Sequence, residues 1–225
     1  MKSRNVRAWS AWWGIELNEV SAKEKLVSIL GGFISIFALL CVTSPPWGQS
    51  PLVVASMGAS AVLLFAVPHG QLSQPWPVMA GHGLSALIGV ACARWISCPQ
   101  LAGACAVALA IGFMHQFKCI HPPGGATALT AVLGGPAVHA MGYKFVALPV
   151  LANAGVMVAV AVVFNAFFLW RKYPASRNHQ LTERSPTEEP VPSHEEVLSA
   201  LRSLDSFVDI TEDDLLRLLQ TLSRR

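Results

Sequence analysis

Apolar residues are concentrated in five long blocks separated by short polar segments. The blocks occupy residues 26–43, 51–67, 76–96, 101–117 and 145–170. A membrane-crossing helix needs about 20 apolar residues, because each residue adds about 1.5 Å and the hydrocarbon core is about 30 Å thick. The blocks approach or reach this length, so the pattern predicts an all-α protein that crosses a membrane several times. The composition, 53% hydrophobic and only 13% charged, favours the same class.

A further apolar stretch, "HPPGGATALTAVLGG", starts with residues that break helices. Pro122 and Pro123 have no backbone N–H to donate, so a new helix can begin just after them. Gly124 and Gly125 leave the first amides of that helix without side-chain cover, and such a helix N-terminus can bind an anion. The other interpretation is that the break only lets helices cross closely, with small residues at their contact.

Two short motifs suggest an internal repeat. The segment "GASAV" at 58–62 recurs as "GATAL" at 125–129, and each copy lies between two longer apolar blocks. A fainter pair is "VMAGHG" at 78–83 and "VLANAG" at 150–155. Three segments in each half would invert the second half relative to the first, as in many transporters with broken helices. We therefore predict a polytopic membrane protein with about six membrane-embedded helical segments in two inverted three-helix repeats, two segments being broken or re-entrant.

Basic residues gather at the two ends of the chain. Five precede Leu26 and eight follow Trp170, while only Arg94, Lys118 and Lys144 lie between them. By the positive-inside rule this distribution predicts that both termini are cytoplasmic and that the number of crossings is even.

The membrane region lacks carboxylates. Between Glu24 and Glu183 the sequence contains no Asp or Glu, although the membrane region holds His69, His82, His115, His121 and His139. Carboxylates are the usual groups that bind cations or relay protons inside a membrane. Their absence favours a small anion or a neutral polar solute over a metal ion or another cation. The five cysteines have no C-x-x-C spacing, and we expect no metal site, no cofactor and no enzymatic activity.

Two stretches together resemble a known family. They are "VVASMGASAVLLFAVPHGQLSQPWPVMAGH" at 53–82 and "HPPGGATALTAV" at 121–132, and they are similar to the HPP family of integral membrane proteins, whose name matches His121, Pro122 and Pro123. The resemblance extends over residues 21–170 and implies a membrane domain of the transporter kind. Some members of the family look like nitrite transporters, and the family is usually described with four spans rather than six.

The function expected from the residues and from this resemblance is transport, by a carrier or a channel, of a small monovalent anion, with nitrite first. The anion would bind at the N-termini of broken helices near the membrane midplane, and a β-branched side chain at Gly125 would cover the first amides and crowd the facing helix. The candidate substrate-binding residues are His121, Gly124, Gly125, Ala126, Thr127, Gly58, Ala59, Ser60 and His82. The ordinary alternative for the two histidines is packing or capping. A rival function is that of a membrane sensor or scaffold that signals through a cytoplasmic tail.

The chain divides into four predicted regions. They are an interfacial leader at 1–25, a transmembrane domain at 26–172, a linker at 173–192 and a cytoplasmic helical hairpin at 193–225. The expected partners are a small inorganic anion and the lipid bilayer, without nucleic acid, and the chain could form a homo-oligomer. The expected location is a bacterial inner (plasma) membrane.

Overall fold

The fold of the membrane region is entirely helical in the residues that the computed structural model describes, which are 20–43 and 54–175. Seven α-helices lie in these ranges: α1 Ala22–Thr43, α2 Ser56–Ala66, α3 Pro75–Trp95, α4 Pro99–Gln116, α5 Pro123–Leu133, α6 Gly135–Met141 and α7 Ala152–Ala166. Two 3₁₀ turns occur at Gln71–Ser73 and Leu169–Arg171, and a π-helical segment, Val146–Leu151, leads into α7.

Prolines set the start of three helices. Pro75, Pro99 and Pro123 are the first residues of α3, α4 and α5. Proline is favoured there because the first amides of a helix have no intrahelical acceptor, so the missing N–H costs nothing. The sequence predicted a helix just after Pro122 and Pro123, and α5 begins one residue earlier, at Pro123 itself.

The helices differ in whether they can cross a bilayer. By length and composition, three stretches are long and apolar enough: Ala22–Thr43, Pro75–Trp95 and Val146–Ala166, the last of which is kinked at Leu148. Helices α2 and α5 are apolar but have only 11 residues each, or about 16 Å, roughly half of the hydrocarbon thickness. The apolar block at 51–67 therefore yields a helix shorter than a full span, because its helical part begins only at Ser56.

Helix α3 is central to the packing. It lies against α4 and α5, and also against α7 and the π-helical segment, while α2 contacts α5 and α7. The contact between α3 and α5 is close because small residues meet there. A Cβ added to Gly89 would lie 2.6 Å from the carbonyl oxygen of Ala128 and 2.7 Å from the Cβ of Ala131. No side chain fits in that space, so glycine at 89 sets the distance between the two helices.

Large apolar side chains cover the outside of the protein. On α1, Ile29, Phe33 and Phe37 are each more than half exposed, and Val163 and Phe167 near the end of α7 are exposed as well. In water such a surface would promote association, whereas in a bilayer these side chains contact lipid. The predicted membrane protein is confirmed in this respect.

Arg171 holds the ends of three helices together. Its guanidinium is buried and donates to Asn165 Oδ1 on α7 at 3.0 Å, to Ser28 Oγ on α1 at 3.2 Å and to the carbonyl oxygen of Phe65 at 2.6 Å. Phe65 lies in the last turn of α2, where a cation interacts favourably with the helix dipole. In the sequence Arg171 is only one of the positive charges after Trp170, whereas the structure shows that it is buried and bonds three helices.

Part of the predicted architecture stays a prediction. The helices confirm the fold class, and two of them are short, as broken or re-entrant segments would be. Six membrane segments and an inverted repeat are not established by the three long helices. Most of the leader and nearly all of the linker and tail hairpin, residues 1–19 and 176–225, lie outside the described residues.

Candidate functional site: a buried hydrogen-bonded chain

A chain of five polar side chains lies at the meeting point of α2, α3 and α5. Its members are Ser56 and Ser60 on α2, His82 on α3, His121 just before α5, and Thr127 on α5. All five are buried, and four of them have no exposed surface at all. In an otherwise apolar bundle such groups must be satisfied by one another.

Each side chain is joined to the next by a short hydrogen-bond contact. Ser56 Oγ lies 2.7 Å from Thr127 Oγ1, which lies 2.7 Å from His82 Nδ1. The other ring nitrogen of His82, Nε2, is 2.8 Å from Ser60 Oγ, and Ser60 Oγ is 2.9 Å from His121 Nε2. His121 Nδ1 ends the chain at 2.8 Å from the carbonyl oxygen of Leu72. The two imidazole rings are also in edge-to-face contact, with centroids 4.8 Å apart.

The carbonyl of Leu72 fixes the direction of every proton in this chain. A carbonyl oxygen only accepts, so His121 Nδ1 carries a hydrogen, and in a neutral ring Nε2 must accept from the Ser60 hydroxyl. Ser60 has one proton and has donated it, so it accepts from His82 Nε2. His82 Nδ1 is then an acceptor for Thr127, which in turn accepts from Ser56. We therefore assign opposite tautomers to the two histidines, Nδ1–H on His121 and Nε2–H on His82.

Longer contacts compete only weakly with this order. Ser60 Oγ is 3.3 Å from the carbonyl oxygen of Ser56, and Thr127 Oγ1 is 3.4 Å from that of Pro123. Hydroxyl hydrogen bonds are strongest near 2.7 Å, so the side-chain contacts hold the hydroxyl protons. The neutral ring state fits the surroundings, because no Asp or Glu exists between Glu24 and Glu183 to balance an additional proton.

The first amides of α5 are not free, contrary to expectation. The N–H of Gly124 donates to the carbonyl oxygen of His121 at 2.8 Å, and that of Gly125 donates to Pro122 at 3.0 Å. The prolines and His121 form a turn that supplies these acceptors immediately before the helix. An anion site built from these two amides would first have to break both bonds.

Seven of the nine predicted site residues separate into two groups. The buried chain contains Ser60, His82, His121 and Thr127. Gly58, Ala59 and Ala126 are exposed and point away from it, because one helix face carries residues three or four apart rather than consecutive ones. A role of these three in anion binding stays a prediction, and the structure places them outside the hydrogen-bonded chain.

Gly124 and Gly125 differ in the space around them. A Cβ added to Gly124 would lie 2.7 Å from Ser85 Oγ and 3.0 Å from the carbonyl oxygen of Gly81. A Cβ added to Gly125 would meet nothing within 4 Å. The expected crowding of the facing helix by a side chain at Gly125 is therefore wrong, and Gly124 is the position that packs against α3.

Sequence reasoning missed Ser56 and the Leu72 carbonyl. Ser56 lies four residues before Ser60 and shares its helix face, so helical spacing could have identified it. Nothing in the sequence marks Leu72, because its side chain takes no part. Ser85, on α3, was also missed: its buried hydroxyl has no hydrogen-bond partner in the described part of the chain.

A cavity of about 180 Å³ lies near the C-terminal end of α3. It is lined by Val90, Ala93, Arg94, Ala131, Val138, His139 and Gly142. Arg94 forms no hydrogen bond or ion pair with any described residue, whereas His139 Nε2 donates to the carbonyl oxygen of Val132 at 2.8 Å. The contact of Gly89 with Ala128 and Ala131 lies between this cavity and the buried chain along the α3–α5 interface. Arg94 thus places a positive charge about three helical turns from His82 along α3.

Metal binding finds no support in the described ranges. No three His, Cys, Asp or Glu side chains come together there as a metal site requires. All four ring nitrogens of His82 and His121 already have hydrogen-bond partners, so neither ring offers a lone pair.

The apolar exterior, the membrane-length helices and the enclosed polar chain define an integral membrane protein. Comparison with known families then identifies it more closely: the model of the HPP transmembrane region matches residues 17–174. The chain belongs to the HPP family, as the sequence resemblance implied.

Two curated relatives support this membership. Both are described as transmembrane proteins of Dictyostelium discoideum. One is 37% identical over 145 residues, which is 63% of this chain and 50% of the relative. The other is 36% identical over 177 residues, which is 75% of this chain and 57% of the relative. The chain thus spans about half the length of the curated relatives it matches. No solved structure matches it.

Proposed function

We propose that this protein transports a small monovalent anion across its membrane, with nitrite as the first candidate, and that it has no enzymatic activity. The observation that carries the proposal is the chain of hydroxyl and imidazole groups, which is buried in a region with no Asp or Glu between Glu24 and Glu183. Hydroxyl and imidazole N–H groups donate to anions, and a site without carboxylates does not repel them. A cation would find no charged ligand there.

The binding site we propose is centred on Ser60, Thr127, His82 and His121. Each hydroxyl can turn its proton from its present acceptor toward an anion, and the His82 Nε2–H group that now donates to Ser60, at 2.8 Å, can donate to the same anion. The site is closed in this structure. Binding requires α2 or α5 to move by about the width of the anion, as expected of a carrier that alternates between closed and open states.

The Arg94 cavity is the access route that we propose. Its positive charge would raise the local concentration of an anion. The close contact between Gly89 and Ala128 separates the cavity from Ser60, so separation of α3 from α5 at this contact would connect the two. A sensor or scaffold would need no such opening, and the closed contact is the observation that favours this second candidate.

We include the number of membrane segments and the inverted repeat in the same proposal. The third residues of the two repeated motifs, Ser60 and Thr127, both face the buried chain. Helix α3 of the first half packs on α5, and α7 of the second half packs on α2. This reciprocal packing supports six membrane-embedded segments in two inverted repeats. We also propose that both termini are cytoplasmic and that the protein lies in an inner (plasma) membrane.

Uptake into proteoliposomes tests the proposal. The full chain is reconstituted, and uptake of nitrite, nitrate, formate and chloride is compared with that of protein-free liposomes. We expect nitrite uptake that saturates with concentration and falls in Ser60→Ala, whereas Thr130→Val, a change on α5 outside the buried chain, behaves as the wild type. If none of the four anions enters faster than in protein-free liposomes, transport is refuted and the sensor or scaffold function is favoured.

A further inference from the structure

We propose that the buried chain carries one proton together with each anion, and that His121 holds this proton while the anion is bound. The inference rests on the proposed function and adds the coupling ion to it. Its basis is the uniform direction of the hydrogen bonds from Ser56 to the Leu72 carbonyl.

The transfer requires no group beyond the five side chains and an external acid. Ser56 Oγ accepts a proton from a hydronium ion or a buffer acid and passes the proton it already held to Thr127. Thr127 passes its own proton to His82 Nδ1, and His82 passes its Nε2 proton to Ser60. Ser60 finally gives its hydroxyl proton to His121 Nε2. One proton has entered, every group except His121 is neutral again, and His121 is an imidazolium with both nitrogens protonated.

The same proton transfer reverses the donor and acceptor roles along the buried chain of side chains. His121 Nε2 now donates to Ser60, Ser60 donates to His82, and His82 Nδ1 donates to Thr127. The two states of the chain therefore differ by one proton and by the sense of all four side-chain hydrogen bonds. Release of the proton runs the same steps backwards.

Charge balance couples the proton to the anion. A buried imidazolium without a counter-charge is costly, and a buried monovalent anion is equally costly without a cation. The region holds no carboxylate that could balance the imidazolium. The anion itself is then the counter-charge, so the loaded protein carries one proton and one anion with no net charge.

No charged side chain of the described residues forms a hydrogen bond or ion pair with His121. The titratable groups near it are His82 on α3, in ring contact with it, and in its own loop Cys119 and the exposed Lys118. From the 3₁₀ turn it meets the Leu72 carbonyl, and the neighbouring Ser73 carbonyl accepts from Tyr173. Helix α2 contributes only serine hydroxyls. Among residues 20–43 and 54–175, no Lys, Arg, Asp or Glu side chain forms a hydrogen bond or ion pair with the chain.

Nitrogen NMR tests the direction of the chain without any transport assay. The whole chain of 225 residues, labelled with ¹⁵N in the histidine rings, is placed in lipid bilayers at neutral pH without anion. The spectra of His82→Gln and His121→Gln assign the signals. We expect two neutral rings of opposite tautomer, Nε2–H for His82 and Nδ1–H for His121. Equal tautomers, or a charged ring in the absence of anion, would overturn the inference.

Proton entry tests the coupling. Liposomes that contain the wild-type chain and a trapped pH-sensitive dye receive an inward nitrite gradient at neutral pH, with potassium and valinomycin clamping the membrane potential. Protein-free liposomes correct for undissociated acid. We expect one proton to enter with each nitrite, at a rate that does not change with the clamped potential.

Variants on α5 distinguish a role in proton transfer from a role in anion binding. Thr127→Val removes the link between Ser56 and His82, Thr127→Ser restores it, and Thr130→Val is the matched control. We expect net nitrite uptake by Thr127→Val to fall about tenfold or more, because a positioned proton-transfer group contributes at least this factor. Nitrite exchange at equal pH, which needs no net proton movement, should fall much less, and Thr127→Ser should recover net uptake.

The possible results have distinct meanings. Nitrite uptake without proton entry, or a rate that follows the potential, overturns the coupling and leaves anion transport intact. Equal loss of exchange and net uptake in Thr127→Val also overturns it, since that pattern indicates binding alone. No anion uptake by the wild type refutes the proposed function and this inference with it.

Discussion

At the scale of single residues, buried serine hydroxyls in this protein differ in how many hydrogen-bond partners they have. Ser60 is engaged by two histidines, whereas the Ser85 hydroxyl, equally buried on the adjacent helix, has no partner in the described residues. A buried hydroxyl without a hydrogen bond costs free energy relative to an apolar group of similar size. The two serines therefore predict opposite effects of the same substitution.

Ser85→Ala should leave stability unchanged or raise the free energy of unfolding by about 1 kcal/mol, because it removes an unsatisfied hydroxyl. Ser60→Ala should lower it by about 1 to 3 kcal/mol, since His82 and His121 each lose a partner. Thermal unfolding of the two variants in the same detergent measures the difference. A lower midpoint for Ser85→Ala than for Ser60→Ala would contradict the prediction.

The two adjacent glycines give a second residue-scale prediction. Gly124→Ala should destabilise the protein by about 1 to 3 kcal/mol, because the new methyl group would overlap Ser85 and the backbone of Gly81. Gly125→Ala should be neutral or stabilise α5 by up to about 1 kcal/mol, because alanine favours helix and the space is open. The thermal midpoints of the pair, measured together, check this; equal losses would show that both positions are packed.

At the scale of elements, the sequence located most helices but not their lengths. The blocks at 26–43, 76–96 and 101–117 correspond to α1, α3 and α4, since long apolar runs have few alternatives and proline marks the start of the last two. The block at 51–67 predicted a longer helix than α2, because hydropathy does not reveal which part of an apolar segment is helical.

The site was partly predicted, since repeated motifs mark Ser60 and Thr127. Ser56, the Leu72 carbonyl and Arg171 depend on contacts distant in sequence, which no local pattern encodes.

Arg171 gives the prediction at this scale. Arg171→Ala would leave the last carbonyls of α2 and the Asn165 amide without their cation, and we expect a loss of about 3 kcal/mol or more in unfolding free energy. Arg171→Lys should recover only part of it, because an ammonium group cannot reach three acceptors in one plane. The control is Lys172→Ala, which removes the neighbouring charge without these bonds. Thermal unfolding with equal midpoints for the 171 and 172 variants would refute the structural role.

At the scale of the whole molecule, the proposed inverted repeat predicts the side of each terminus. Both ends should be cytoplasmic, because basic residues gather there and three segments in each half return the chain to its starting side. Single cysteines introduced near each end, in a chain whose five natural cysteines are replaced, can be labelled in intact cells by an impermeant maleimide. Neither end should react until the membrane is opened. Reaction of one end alone would place the termini on opposite faces and refute the repeat.

The hydrogen bond from Arg171 to Phe65 has a consequence for the order of events during synthesis. The two residues are 106 positions apart, so the end of α2 emerges from the ribosome long before its cation exists. At about 5 to 20 residues per second, roughly 5 to 20 s pass before Arg171 is made. During that interval the carbonyls at the end of α2 must be hydrated or held by the insertion machinery. A nascent chain halted before residue 171 should therefore keep α2 accessible to water-soluble labels, and the membrane region closes only when its last helix has been delivered.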